Sequence, residues 1–237
     1  MEKENKKQFT LKILFNVLFW GALWGIVEAT LGTILHLPAF DGAGIYLGSS
    51  VIIIPIAYIL MANCYKRTGS FYSVYLMGVL AAIMKLSVGF FIGFINKVYM
   101  PAIYIVAESL AMGTALLIIK PKNVLSFKTL GAIVAANTVY QFSYLVLRMI
   151  DGAHNANVFA SVEAWKKGAE PYLWTTNCIA IVYTFAVGVV AFGLFKLAER
   201  LNLKTKFNLD KIIYSPITSA VAVTLAFALT ITLKLFA

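Results

Sequence analysis

Charge is what this chain has least of. Only 13% of its 237 residues are Asp, Glu, Lys or Arg, while 61% are hydrophobic. A soluble domain carries roughly a quarter charged residues and about half apolar ones. A soluble core cannot hide this much apolar surface, so lipid has to be part of the solvent. Acids are scarcer than bases, 10 against 20, which leaves a formal net charge of +10. That excess suits nucleic-acid binding in amount but not in placement. The lysines and arginines stand between long apolar runs, where they set membrane topology, and not along one face. Cysteine and histidine are almost missing. Cys64, Cys178, His36 and His154 have no metal-ligand spacing, and the two histidines with Asp41 or Asp151 make too small a set for a metal site. The motifs G-x-S-x-G and H-E-x-x-H and the P-loop are absent. No nucleophile, metal or cofactor is therefore expected, the chain is not read as an enzyme, and it has no ATP-binding machinery of its own.

What the chain does have is apolar length. Seven stretches approach or exceed the roughly 20 residues that cross a bilayer: 11–37, 44–65, 71–95, 98–119, 126–150, 171–197 and 212–236. The expected fold is an all-α, polytopic transmembrane helix bundle of six to seven spans, with 1–237 as a single transmembrane domain. Pro38 stops the first stretch and Lys66-Arg67 the second. Pro101 is expected in the first turn of the fourth helix, where proline is tolerated. The basic segment 1–10 before an apolar run has the look of a signal peptide. The run is about 26 residues long and lacks a small-residue cleavage site, so an uncleaved first helix is the better reading.

Charge then sets orientation. With the N-terminus cytoplasmic, Lys and Arg favour the inner segments by roughly three to one, as the positive-inside rule requires. The chain is thus expected to be multi-pass in the cell membrane, with the C-terminus outside if all seven stretches cross. The last stretch is the least marked by special residues. Cys64 and Cys178 fall near opposite faces, which argues against a disulfide.

Glu28, Lys85 and Glu108 lie deep within apolar stretches. A charge in mid-membrane costs at least about 2.5–3.5 kcal/mol on insertion scales, so such residues turn inward and pair. Counted from the segment ends, all three lie about 13–15 Å below the outer surface. A pair plus one extra carboxylate is expected. Glu28 shares a stripe with Gly21, Gly25 and Gly32, and Lys85 one with Gly78, Ala82 and Gly89. Small residues at this spacing let helices approach closely. Both stripes read Gly, six residues, charge, three residues, Gly, a faint internal repeat.

Further along, Asn137, Gln141, Tyr144 and Arg148 recur at three- and four-residue steps and share one helical face. Trp174, Thr176 and Asn177 fall at a similar outer depth on the sixth stretch, above a small-residue face of Ala180, Thr184, Gly188 and Ala191. The outer segment 151–170 carries Phe159, Val162 and Trp165 at helical spacing, as a surface helix or a lid. Polar side chains thus collect in the outer half only. A channel needs polarity along its whole length, so a site entered from outside and closed toward the cytoplasm fits better. The candidate ligand contacts are Asn137, Gln141, Tyr144, Arg148, Trp165, Trp174 and Asn177. Arg148 suits a carboxylate or phosphate, and the tryptophans an aromatic ligand. The plainer alternative is that these residues only tie helices together.

The stretches GALWGIVEATLGTILHLP (21–38), GVLAAIMKLSVG (78–89) and PAIYIVAESLA (101–111) give the chain a likeness in size, hydropathy and segment character. On these it resembles the substrate-binding S components of energy-coupling factor (ECF) transporters, bacterial membrane proteins that capture vitamins and other micronutrients. The resemblance covers about residues 11–200. It implies a transmembrane coupling subunit and two partner ATPases, and a docking face of small residues on the first helix, here Gly21, Gly25 and Ala29. It also implies a small-molecule ligand in the outer half. The family has six helices with both ends inside, against seven stretches here. The start, Met1-Glu2, lacks the Met-His of its nickel and cobalt branch. Three rival readings stand beside it. One is an independent secondary transporter with Glu28 or Glu108 as proton carrier. Another is an intramembrane enzyme using the same carboxylates, and the last an assembly subunit.

Overall fold

The computed structural model describes residues 2–34, 50–122, 126–154, 178–200 and 209–236. The outer segment with Phe159, Val162 and Trp165 lies outside the described residues, as do Trp174, Thr176, Asn177, His36, Pro38 and Asp41.

All regular structure among the described residues is helical. The elements are α1 (Glu2–Ile34), α2 (Ser50–Thr68), α3 (Phe71–Leu86), α4 (Gly89–Ile92), α5 (Asn96–Ile119), α6 (Phe127–His154), α7 (Cys178–Arg200), α8 (Leu209–Ile213) and α9 (Pro216–Phe236). Each of the seven apolar stretches overlaps one of the longer helices. Four segments are long and apolar enough to cross a membrane: Phe9–Gly32, Phe71–Ile92, Val98–Ile119 and Pro216–Leu235. Leu76, Ile83, Ile118, Ile217 and Val221 stand exposed on them. This is the outer surface of a protein embedded in lipid, where apolar side chains need no protein cover.

Local chemistry explains several helix ends. Gly69 closes α2 at a positive φ of 67°, with its N–H donating to the Tyr65 carbonyl at 2.7 Å. A left-handed residue at this place suits glycine, which has no Cβ to clash. Lys66 and Arg67 in the last turn of α2 oppose the negative end of its dipole. Ser126 begins α6 by accepting the Thr129 N–H at 3.1 Å.

The third stretch differs from its expected single helix. It breaks after Leu86, where Ser87 Oγ donates to the Met84 carbonyl at 2.6 Å. A short α4 follows, and the chain turns at Gly93, whose φ is 85°. Phe94 folds back onto Gly89 so closely that a Cβ there would meet its ring at 2.5 Å. α5 then starts at Asn96, earlier than the stretch beginning at 98, so Pro101 falls in the second turn.

Small residues set how the helices meet. α1 and α3 run parallel. A Cβ on Gly21 would meet Leu80 Cδ2 at 3.0 Å, and one on Gly25 would meet Met84 Sδ at 2.6 Å. α3 and α5 run antiparallel, with Ser109 set into the notch at Gly78 and the Tyr75 ring over Gly113. Tyr75 Oη lies 3.3 Å from Thr114 Oγ1 across the same seam. α9 packs along α1, with Ala226 against Gly25. Trp24, Tyr58, Met61, Met77, Met84 and Met112 fill the space between, all fully buried. Methionine is unbranched and adapts to irregular gaps of this kind.

The Gly78 notch has a measurable consequence. Ser109 is short and tethered, with its hydroxyl donating to the Val106 carbonyl at 2.8 Å, so it cannot move aside. Gly78→Ala should destabilise the protein by about 1–3 kcal/mol through overpacking. Gly131, which has nothing within 4 Å, should accept Ala without loss. Melting curves in one detergent compare the two, and equal midpoints would refute the tight seam.

Candidate functional site

The charged trio divides into two settings. Glu28 lies one turn beyond Trp24 on α1, and the indole Nε1 donates to its Oε1 at 3.4 Å. From α3, Lys85 is the cation that faces it, and Lys234 of α9 is a second cation near Lys85. Glu28 and Lys85 are half-buried. Their charges oppose each other without closing to an ion pair. Among the described residues the ion pair within 4.0 Å is Arg67–Asp210, which joins the end of α2 to α8.

Glu108 is different. It is 5% exposed, and Tyr140 of α6 is its hydrogen-bonding side chain. Tyr58 of α2, 0% exposed, lies within electrostatic reach of the same carboxyl. Glu28 is the charged group nearest in influence, and Lys85 is turned to Glu28 instead. Glu108 Oε2 and Tyr58 Oη are both buried without a hydrogen-bond partner among the described residues. The three charges therefore do not share one depth. The antiparallel seam, with Gly78 opposite Ser109, sets Glu108 about a turn and a half, on the order of 9 Å, below Lys85. Counting from segment ends misplaced it because α3 stops at Leu86 and the chain turns before α5 begins.

The polar face of α6 lies beside this centre. Asn137 and Gln141 are buried, with Gln141 Nε2 donating to Asn137 Oδ1 at 3.3 Å. Tyr140 sits on the same face between them. One turn on, Tyr144 lies against Tyr104 of α5 with ring centroids 4.4 Å apart and ring planes tilted by 56°, and both are half-buried. Arg148 follows one further turn along α6. The structure thus brings Glu28, Lys85, Glu108, Asn137, Gln141 and Tyr144 into neighbouring helices. Trp165, Trp174 and Asn177 lie outside the described residues.

Sequence reasoning passed over Trp24, Tyr58, Tyr104 and Tyr140. Three had a usable signal. Trp24 and Tyr104 each precede an acid of the centre by four residues, and Tyr140 falls between Asn137 and Gln141, so helical neighbours were in reach. Tyr58 had none, since nothing local distinguishes it.

The small-residue face of α1 is occupied within the chain. Gly21 is covered by Leu80, Gly25 by Met84 and Ala226, and Ala29 is buried. The reason is α9, which lies along this side of α1 together with α3. No disulfide links Cys64 and Cys178. Comparison of the chain with known family models, with curated proteins and with solved structures finds no match.

The facing of Glu28 and Lys85 should appear as coupling. Removing one charge leaves the other partly buried and alone, which costs more than removing both. Lys85→Ala should destabilise more than Lys85→Ala combined with Glu28→Gln, with a coupling of about 0.5–3 kcal/mol. Simple additivity in detergent melting would refute the pairing.

Proposed function

We propose that the chain is a membrane-embedded solute-binding subunit for uptake of a vitamin or other micronutrient, of ECF S-component type. It crosses the cell membrane six or seven times from a cytoplasmic N-terminus, and partner ATPases energise it. The observation that carries this reading is the polar centre. Five helices contribute Glu28, Tyr58, Lys85, Glu108 and the Asn137–Gln141 face, and two buried polar atoms there have no partner among the described residues. Buried polar groups are normally hydrogen-bonded, and exceptions concentrate where function needs them. The bias of Lys and Arg toward one set of connections supports the orientation. The absent P-loop supports an external energy source. In this reading the coupling subunit meets the bundle away from Gly21 and Gly25, which α3 and α9 cover, and from the buried Ala29.

That covered face favours a second reading, an independent ion-coupled transporter that needs no coupling subunit. Intramembrane acids commonly mark ion and proton routes. The two readings separate on one experiment: gentle purification of the tagged protein from its native host, with mass spectrometry of what accompanies it. Two ATPases and a membrane coupling subunit are the expected companions. Their reproducible absence would overturn the first reading and leave the second.

A further inference from the structure

Glu108 is the most enclosed acid of the centre, and among the described residues no cation faces it. The ionisable groups that face it are Tyr58 from α2, Tyr140 from α6 and Glu28 from α1. On α3, Tyr75 is bonded to Thr114 further down the seam, and Lys85 faces Glu28. With both glutamates ionised, one lysine would stand against two carboxylates, and the uncompensated charge would be the deeper one. A buried carboxylate without a counter-ion is among the costliest groups a protein can hold. Its neighbours make the neutral form better served. A carboxylate only accepts hydrogen bonds, whereas a carboxyl also donates one, and a phenol does both. Among the described residues, Glu108 Oε2 and Tyr58 Oη are the two atoms of this cluster without a partner. Oε2 is thus an acceptor that no protein donor serves, and the place where a proton meets no competing hydrogen bond.

We infer that Glu108 is a proton-binding site, whose carboxyl holds one exchangeable proton between Tyr58 and Tyr140. The step is a simple association: a proton from water joins a carboxylate oxygen, one O–H bond forms, and nothing is oxidised or reduced. The tilted, half-buried rings of Tyr104 and Tyr144 lie one turn from Glu108 and Tyr140 and continue the line of phenols beyond the site. An alkali cation would find one carboxylate and two phenols, a thin set of oxygens for an ion stripped of water. The inference rests on the membrane-embedded helical bundle alone and stands with or without partner ATPases.

Infrared difference spectroscopy tests it on the full chain in phosphatidylcholine vesicles, titrated in pH at fixed potassium. The wild type should show a protonated-carboxyl C=O band that grows as pH falls. Glu108→Gln should lose that band, while Glu28→Gln keeps it. Tyr58→Phe should shift the band without removing it, since a hydroxyl dipole within electrostatic reach of the carboxyl is lost and the proton stays. A band that persists in Glu108→Gln protein of wild-type melting temperature would overturn the inference. So would its displacement by sodium at constant pH, which would make the site one for an alkali cation. If Glu108→Gln does not fold, Glu108→Asp keeps a carboxyl in altered surroundings and must shift the band; an unshifted band overturns the inference. Co-purification of ATPases moves independently of all these outcomes, so failure here and failure of the uptake reading are distinguishable.

Discussion

The close approach of α3 to both α1 and α5 is the constraint on which the rest of the molecule depends. In lipid there is no hydrophobic force to drive one apolar helix onto another, so association rests on packing and polar contact. The glycines at 21, 25, 78 and 113 provide the room. Into that room go Leu80, Met84, Ser109 and Tyr75, each from the facing helix. The seams are reciprocal: α3 gives a notch at Gly78 and a ring at Tyr75, and α5 gives a serine and a notch in return. With α3 held this near, Lys85 reaches the level of Glu28 instead of lipid. The charged centre is therefore a consequence of glycine placement as much as of charge.

Within that frame, depth sorts the ionisable groups. The half-buried pair Glu28 and Lys85 sits toward the end of α3, where Lys234 also approaches. Trp24 holds Glu28 by its indole N–H, an apolar body with one polar edge. Glu108 is enclosed by phenols, which suit such a place because each brings a large apolar ring and a single hydroxyl. Two neighbouring acids thus experience different surroundings, one facing a lysine and one facing tyrosines. Environments that treat two carboxylates differently are how one site assigns them separate roles.

Much of this was legible in the sequence, and the gaps have physical reasons. The membrane character and helical class follow from composition and run length, because those depend on sums over many residues. Glu28, Lys85 and Glu108 stood out because a charge in an apolar run is rare and costly. The Gly21, Gly25 and Gly78 stripes correctly marked close approach, but stripes do not name the neighbour. The face assigned to an external partner is filled by α3 and α9. Depth failed for Glu108 because run length does not register the break after Leu86, where Ser87 and Gly93 end one helix and turn the chain. Tyr58 was invisible, since its importance arises from a residue 50 positions away. The aromatic ladder was half visible, as Tyr144 was on the polar stripe while Tyr104 and Tyr140 read as ordinary apolar filling.

α9 shows the same limit from the other side. Its own sequence is apolar and without marks, yet its place is well specified by residues elsewhere. Just before it, Asp210 of α8 pairs with Arg67 at the end of α2. Tyr214 accepts a hydrogen bond from the buried Asn16 of α1 at 3.4 Å, and Ser215 caps the start of α9 through the Thr218 N–H at 3.3 Å. These contacts anchor one end, and Gly25 then admits Ala226 alongside. A helix with no directional chemistry is thus aimed by the chemistry at its entrance and seated by a gap in its neighbour. Because α9 rests along α1, any motion of α1 that opens the polar centre has to carry α9 along or break the Asn16–Tyr214 contact and the packing at Gly25. The least marked segment of the chain is therefore the one that constrains how its most marked residues can be reached.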